Sequence, residues 1–179
     1  MIRNIPMINT ARVTLSGMRP EDFERFVEIW TDPDVVRFIG GEAKTRGEAW
    51  DAFLRNAGHW QMTGFGQWAI VLQSSRRMVG QAGFFFKDRA LGEDFDLYPE
   101  AGWVMMPEAQ GQGLAYEAVQ AAHDWFDRVI PGVLVAMVDT RNQASLKLAR
   151  KLGYTSLRSA EYLGSEVELF RRNGPPTRS

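Results

Sequence analysis

A glycine turn set between a strand pattern and a helix pattern constrains this chain more than any other feature. The apolar run Gly102-Trp103-Val104-Met105-Met106 leads to Gln110-Gly111-Gln112-Gly113-Leu114-Ala115, and a helical pattern opens at Tyr116. A strand that turns on glycines into a helix N-terminus can aim several amide N–H groups at one anion, where the helix dipole adds partial positive charge. Phosphate suits such a turn. The same glycines also serve a turn that only packs tightly against a neighbour, so the surrounding segments have to decide between the two.

With 179 residues, the chain is long enough for one domain that buries roughly 70% of its unfolded surface. We expect that domain to span residues 1–171 and residues 172–179, around Gly174-Pro175-Pro176, to form a disordered tail. The sequence has no cysteine, which excludes disulfides, thiolate metal sites and a cysteine acyl-enzyme, and fits a reducing cytoplasm. No metal is expected. Apolar stretches such as residues 68–72 and 133–138 fall far short of the roughly 18 residues of a membrane span. The first residues, Met1-Ile2-Arg3-Asn4-Ile5-Pro6, lack an export signal's apolar region. A soluble cytoplasmic protein is therefore expected. A net charge of −1 removes the whole-molecule argument for nucleic-acid binding. Acid nevertheless gathers at Glu93-Asp94-Phe95-Asp96 and Glu100, and base at Arg141, Lys147, Arg150 and Lys151.

Read along the chain, Arg12-Val13-Thr14-Leu15 forms a first strand, and Pro20-Glu21-Asp22 opens a helix bearing Phe23, Phe26, Val27 and Trp30. Asp32-Pro33 stops it. Thr45 caps a second helix whose Trp50, Phe53, Leu54 and Trp60 are read as core. Residues 67–73 and 78–86 read as an antiparallel hairpin, and residues 87–99 as a polar, acidic loop. The strand at residues 100–106 then feeds the glycine turn and a helix over residues 113–129, with Ala118, Ala121, Ala122, Trp125 and Phe126 on its buried face. A fully apolar strand at residues 133–138 follows that crossover helix, which suggests a parallel pair. Residues 142–152 form a short helix closed by Gly153, and residues 154–157 and 166–170 form the last strands. His59 and His123 are read as structural.

The turn at Gln110, Gly113 and Ala115, the apolar strand, and the helix from Asn142-Gln143-Ala144-Ser145 to Lys151-Leu152-Gly153-Tyr154 resemble the coenzyme-binding core of the GNAT N-acetyltransferases. Thr10-Ala11-Arg12-Val13-Thr14-Leu15, Glu21-Asp22, Asp32-Pro33-Asp34-Val35, Glu100-Ala101-Gly102-Trp103 and Glu117-Ala118 resemble its RimJ/RimL-type branch, which includes ribosomal-protein N-terminal acetyltransferases. The resemblance covers about residues 10–170. It implies an α/β (α+β) GNAT fold: one domain with a central mixed, mostly antiparallel twisted sheet flanked by helices, and a splayed strand pair holding acetyl-CoA.

On that resemblance, backbone amides of Gln110, Gly111, Gln112, Gly113, Leu114 and Ala115 wrap the coenzyme pyrophosphate. The main chain at Val104 and Met106 meets the pantetheine arm, an N–H near Met105 or Met106 receives the oxyanion, and Asn142 orients the arm, or serves only as a helix N-cap. Members of the family often carry a basic residue where this chain has Gln112; Arg141, Lys147 or Lys151 is the available replacement. A tyrosine that protonates the departing thiolate is replaced by Ala149, which leaves Ser145 to hydrogen-bond the sulfur or merely to start its helix.

Acetyl transfer needs a neutral amine, and an α-amine, with pKa about 7.7–8.0, is deprotonated more cheaply than a lysine-like amine near 10.4. Glu100 is the candidate base; its alternative is a strand-start salt bridge. Glu117 is read as complementing the helix dipole or packing the turn. The expected activity is direct acetyl transfer from acetyl-CoA to a primary amine, either a protein N-terminus or a small molecule. The alternative is a non-catalytic coenzyme A-binding sensor or partner domain. The acidic loop at Glu93, Asp94 and Asp96 either recruits a cationic acceptor or is simply solvated. The sequence does not settle oligomeric state; a homodimer is compatible with it.

Overall fold

The central strands of this protein are near-continuous apolar runs, as burial on both faces requires. The computed structural model describes residues 4–175. In chain order the elements are β1 (Ile8–Asn9), β2 (Val13–Ser16), α1 (Phe23–Thr31), α2 (Pro33–Val36), α3 (Arg46–Thr63), β3 (Gln67–Leu72), β4 (Met78–Phe85), α4 (Glu93–Asp96), β5 (Glu100–Met105), α5 (Leu114–Val129), β6 (Leu134–Asp139), α6 (Gln143–Lys151), β7 (Thr155–Tyr162) and β8 (Ser165–Arg172). The strands form one eight-stranded sheet in the order β1-β2-β3-β4-β5-β6-β8-β7. Every pairing is antiparallel except β5 with β6. This is the mixed, mostly antiparallel GNAT-type sheet that the resemblance implies.

Both faces of the sheet are covered, so successive strand residues enter different cores. On β3, Trp68 and Ile70 join the larger core with Leu114, Ala118, Ala122 and Phe126 of α5. Their neighbour Ala69 joins Phe23, Phe26, Ala49 and Phe53 of α1 and α3. On β6, Leu134, Ala136 and Val138 pack into the larger core, whereas Val135 packs with Val167, Leu169 and Phe95. A strand buried on both faces reads as a continuous apolar run, and β6 does.

Helix starts follow local chemistry. At α3, the Thr45 N–H donates to Glu48 Oε2 at 2.8 Å and the Glu48 N–H to Thr45 Oγ1 at 3.3 Å, a reciprocal capping box. Phe53 and Trp60 are buried as expected, but Trp50 and Leu54 are 43% and 49% exposed, which corrects their assignment to the core. They flank the buried stripe of Ala49, Ala52, Phe53 and Trp60, and the Trp50 ring packs against Phe23 and Phe53. The acidic loop is also more than a loop: α4 plugs Phe95 beneath β6 and β8. Arg172, assigned above to a disordered tail, is instead the buried last residue of β8. Residues 176–179 of that tail lie outside the described residues. Among the described residues no helix is long and apolar enough to cross a membrane.

His123 is wholly buried on α5, where its polar sequence neighbours hide its position. Nδ1 lies 2.7 Å from the Val119 carbonyl, which can only accept, so Nδ1 carries the proton; Nε2 then accepts from the Tyr154 hydroxyl at 2.8 Å. Burial pushes the imidazole down to about 4 and the Tyr154 phenol above its ordinary range. The unfolded chain therefore binds a proton between about pH 6.5 and 4 that the folded chain refuses, and stability falls as pH drops through that window. We expect about 3 kcal/mol of acid destabilisation from this residue. Urea unfolding across that pH range should show the loss in the parent and a correspondingly shallower slope in His123→Gln.

Candidate functional site

The sheet opens at its one parallel pair. β5 and β6 are in register only at Glu100 and Val135, where the Val135 N–H donates to the Pro99 carbonyl at 3.0 Å. Beyond that point the two strands part. Strand amides alternate sides, and two bonds fix their parity: Val135 N–H faces β5, and Met106 N–H faces β4 through a 2.8 Å bond to Val79 O. Trp103 and the Met105 N–H therefore face the gap from β5, and Met137 and the Asp139 N–H do so from β6, while the Met105 and Asp139 carbonyls accept from Gln110 Nε2 and the Asn142 N–H. Val104 and Met106, expected to meet a ligand there through their main chain, turn theirs to β4. The expectation is corrected by one residue along the strand. The Met105 N–H is the amide near the strand end that faces the gap.

At the open end of β5 lies the glycine turn. Gly111 and Gly113 have φ of 73° and 77°, a region open to glycine at little cost. Side chains brace the loop: Gln110 Nε2 donates to Met105 O at 3.0 Å, and Gln112 Nε2 to Glu108 O at 2.9 Å. Arg12 Nη1 donates to Gln112 O at 2.8 Å, while Glu117 accepts from Arg12 Nε and Thr10 Oγ1, both at 2.7 Å. Glu117 thus packs the turn. Among the described residues the N–H groups of Gly111, Gln112, Gly113, Leu114 and Ala115 have no protein acceptor. Five open donors at the start of a 16-residue helix fit a pyrophosphate by count and by dipole. Of the three cations considered as replacements for a basic residue at Gln112, Arg141 is held by Asp139 at 2.7 Å. Lys151 reaches the first turn of α5, its Nζ lying 3.6 Å from the Tyr116 ring centroid.

Between the parted strands and α1, α3 and the loop before α3 lies a cavity of about 540 Å³. Glu100, Val104, Asn142 and Ser145 line it together. Met105, Met106 and the six turn residues do not line it. Asn142 Oδ1 accepts the Ser145 N–H at 3.1 Å, a helix N-cap. Ser145 Oγ accepts the Trp103 indole N–H at 3.2 Å, which leaves its own proton free to donate. Trp103 lines the cavity but is given no site role by the sequence, where it stands only in the apolar run before the turn and in the Glu100-Ala101-Gly102-Trp103 segment of the resemblance. Ala149, standing where the resemblance expects a tyrosine, is wholly buried in the core, so of the two positions only Ser145 reaches the cavity.

Glu100 is buried at the narrow end of the gap. Arg89 binds both its oxygens, through Nε at 2.7 Å and Nη2 at 2.8 Å. Burial pushes the Glu100 carboxyl above the ordinary carboxylate range against the opposing pull of Arg89. Of the two readings of Glu100, the structure shows the ion pair; the side chain also lines the cavity. A bidentate guanidinium uses one lone pair on each oxygen and leaves others able to take a proton. His59 also lines the cavity, but Nε2 accepts the Phe86 N–H at 2.9 Å and Nδ1 faces the Phe65 carbonyl at 2.9 Å. Both of its nitrogens are occupied.

The acidic loop makes no acceptor site. Asp94 is bound by Arg158, Asp96 takes the N–H groups of Arg89, Leu91 and Gly92, and neither lines the cavity, nor does Glu93. Its role in attracting a cationic acceptor is therefore withdrawn. Among the described residues, no group of three or more His, Asp or Glu side chains is placed to hold a metal ion.

Comparison with known proteins agrees with this geometry. The acetyltransferase (GNAT) domain family matches residues 12–155. A solved structure from Bordetella pertussis, described as a GNAT-family acetyltransferase, is 30% identical, covers 94% of this chain and 99% of its own, and superposes with a TM-score of 0.86. The uncharacterized N-acetyltransferase p20 of Bacillus licheniformis is 25% identical over 147 residues, 81% of this chain and 80% of its own. RimL, a ribosomal L7/L12 alpha-N-protein acetyltransferase solved in complex with coenzyme A, shares the fold at 19% identity, with a TM-score of 0.78 over 94% of this chain and 98% of its own.

Proposed function

The chain belongs to the GNAT acetyltransferase family, and from that premise we propose that it transfers an acetyl group from acetyl-CoA directly to a primary amine, a protein N-terminus or a small molecule, in the manner of the RimJ/RimL-type branch. The observation that carries this reading is the parted β5–β6 pair, whose open backbone edges lie between a buried carboxylate and the donor-rich start of α5.

Acetyl-CoA supplies the activated acyl group: an N–C bond forms, a C–S bond breaks, and the amine loses its proton. This chain's residues bind and move protons around that exchange. The open amides at Gly111, Gln112, Gly113, Leu114 and Ala115 hold the pyrophosphate, with Lys151 adding charge nearby. Trp103 and Met105, opposite Met137 and Asp139, satisfy the amide groups of the pantetheine arm as a neighbouring strand would. The Met105 N–H is directed to a carbonyl oxygen in the gap, where charge develops. Glu100 takes the proton from the acceptor ammonium, directly or through water. Ser145 Oγ, held by the Trp103 indole, donates a hydrogen bond to the departing sulfur, which leaves as thiolate and takes up the second proton that the attacking nitrogen gives up.

Calorimetric titration with acetyl-CoA, using ATP as the control ligand, tests the binding half of this reading. Acetyl-CoA should bind and ATP should not. A screen for coenzyme A release across amines tests the other half, and binding without release for any amine would favour the non-catalytic reading. Ser145→Ala should lower kcat about tenfold, the worth of one hydrogen bond made at the reacting centre, with acetyl-CoA affinity retained. An unchanged kcat would remove Ser145 from the chemistry.

A further inference from the structure

The acceptor end of the cavity is cationic. Lys44, Arg55 and Lys87 line it from three separate segments: the loop before α3, α3 itself, and the loop after β4. Among the described residues none of the three forms an ion pair. Lys44 is fixed in place, since its backbone N–H donates to Trp30 O at 3.0 Å and its Nζ lies 4.8 Å from the Trp30 ring centroid. Burial first, and then the charges of Lys87 and Arg55, hold its amine below the ordinary lysine range.

The carboxylates of the same cavity do not balance this cluster. Glu100 is bound on both oxygens by Arg89, and Asp139 by Arg141. Glu48 is held by Thr45 in the capping box and acts on Lys44 less than either Lys87 or Arg55 does. Glu42, like Arg55 and Lys87, is exposed, so this wall carries three cations against Glu42 and Glu48. An excess of like charge at a cavity wall is stabilised by an anion that enters. The glycine-turn residues do not line this cavity, so the cluster is separate from the pyrophosphate-binding donors. Lys87 acts electrostatically on both Lys44 and Glu100, which places the cationic end beside the carboxylate that would take the proton.

We propose that Lys44, Arg55 and Lys87 form an anion subsite for the acceptor, so that the acetylated amine belongs to a small molecule that also carries a carboxylate or a phosphate. This rests on the acetyl-transfer reading and narrows it: the amine meets Glu100 while the anion on the same molecule meets the cations. A cationic acceptor such as a polyamine is disfavoured by the same charges.

Matched pairs test the subsite without requiring turnover. With the protein saturated in coenzyme A, calorimetry would compare a panel of free amino acids with their carboxamides, and phosphoethanolamine with ethanolamine. The two arms distinguish carboxylate from phosphate. The anionic member of at least one pair should bind about tenfold or more tighter, and the Lys44→Met/Lys87→Met double variant should bring that pair near parity while acetyl-CoA affinity is unchanged. Equal binding within all pairs, binding of no member of any pair, or tighter binding of a diamine would overturn the subsite. Preferential anion binding with no acetylation of any amine would keep the subsite and refute the transfer reading, so the two failures are distinguishable.

Discussion

Replacing Asp127 with asparagine should lower the free energy of unfolding by about 3–5 kcal/mol, the usual cost of stranding one charge of a buried pair. Arg172 is 1% exposed, and its Nη1 and Nη2 each lie 2.7 Å from an Asp127 oxygen, while Nε donates to Leu152 O at 2.8 Å. One guanidinium therefore ties α5 to the end of β8 and to the C-terminus of α6. Asparagine offers one acceptor where the carboxylate offered two, and it leaves the positive charge buried without compensation. Urea unfolding at neutral pH gives the number directly. A loss below about 1 kcal/mol would mean that the arginine finds water when its partner is removed. The double variant Asp127→Leu/Arg172→Met should recover most of the loss, because the cost lies in the unpaired charge and not in the absence of the pair.

That pair also shows why parts of the fold were hidden in the sequence. Arg171-Arg172 sits beside Asn-Gly-Pro-Pro, and every local signal there marks a chain end; the partner that buries Arg172 lies 45 residues away. Features set by nearest neighbours were legible: the Thr45 capping box, the glycines at positive φ before α5, and the uninterrupted apolar run of β6. Trp50 and Leu54 were misplaced because their burial depends on which flank of a helix meets the sheet, which local spacing fixes only to within about one residue in 3.6; His123, read as structural, is buried and bonded through both nitrogens.

The site divides along the same line. The glycine turn is a local motif, so its backbone shape at Gly111 and Gly113 could be read directly. Which β5 amides face the gap depends on pairing with β4, and a one-residue difference in parity moved the expected contacts from Val104 and Met106 to Trp103 and Met105. The convergence of Lys44, Arg55 and Lys87 had no sequence signal at all, because three unrelated segments supply them. The acidic loop gave a misleading signal for the opposite reason: its carboxylates cluster in sequence, but Arg158 and the loop's own amides take up Asp94 and Asp96.

Glu100→Gln should reduce kcat by about 10²–10⁴-fold, the range for loss of a positioned general base. The same carboxylate holds Arg89, and the pH profile separates loss of the base from disturbance of that arginine. A base must be ionised to act, so activity should fall on the acid side as Glu100 takes a proton. Burial places that limb above the ordinary carboxylate range, closer to neutral pH, where a general base is most effective. In Glu100→Gln the limb should vanish and the residual rate should rise with pH as free amine becomes available. Arg89→Met supplies the converse test: without the guanidinium that pulls its pKa down, Glu100 should protonate at still higher pH, and the acid limb should shift upward. If both variants keep the parental limb while losing rate, Glu100 and Arg89 only brace the narrow end of the gap, and the proton leaves by another route. Acetyl-CoA affinity, measured alongside, should survive Glu100→Gln, because the amides proposed to hold the coenzyme lie at the opposite end of β5.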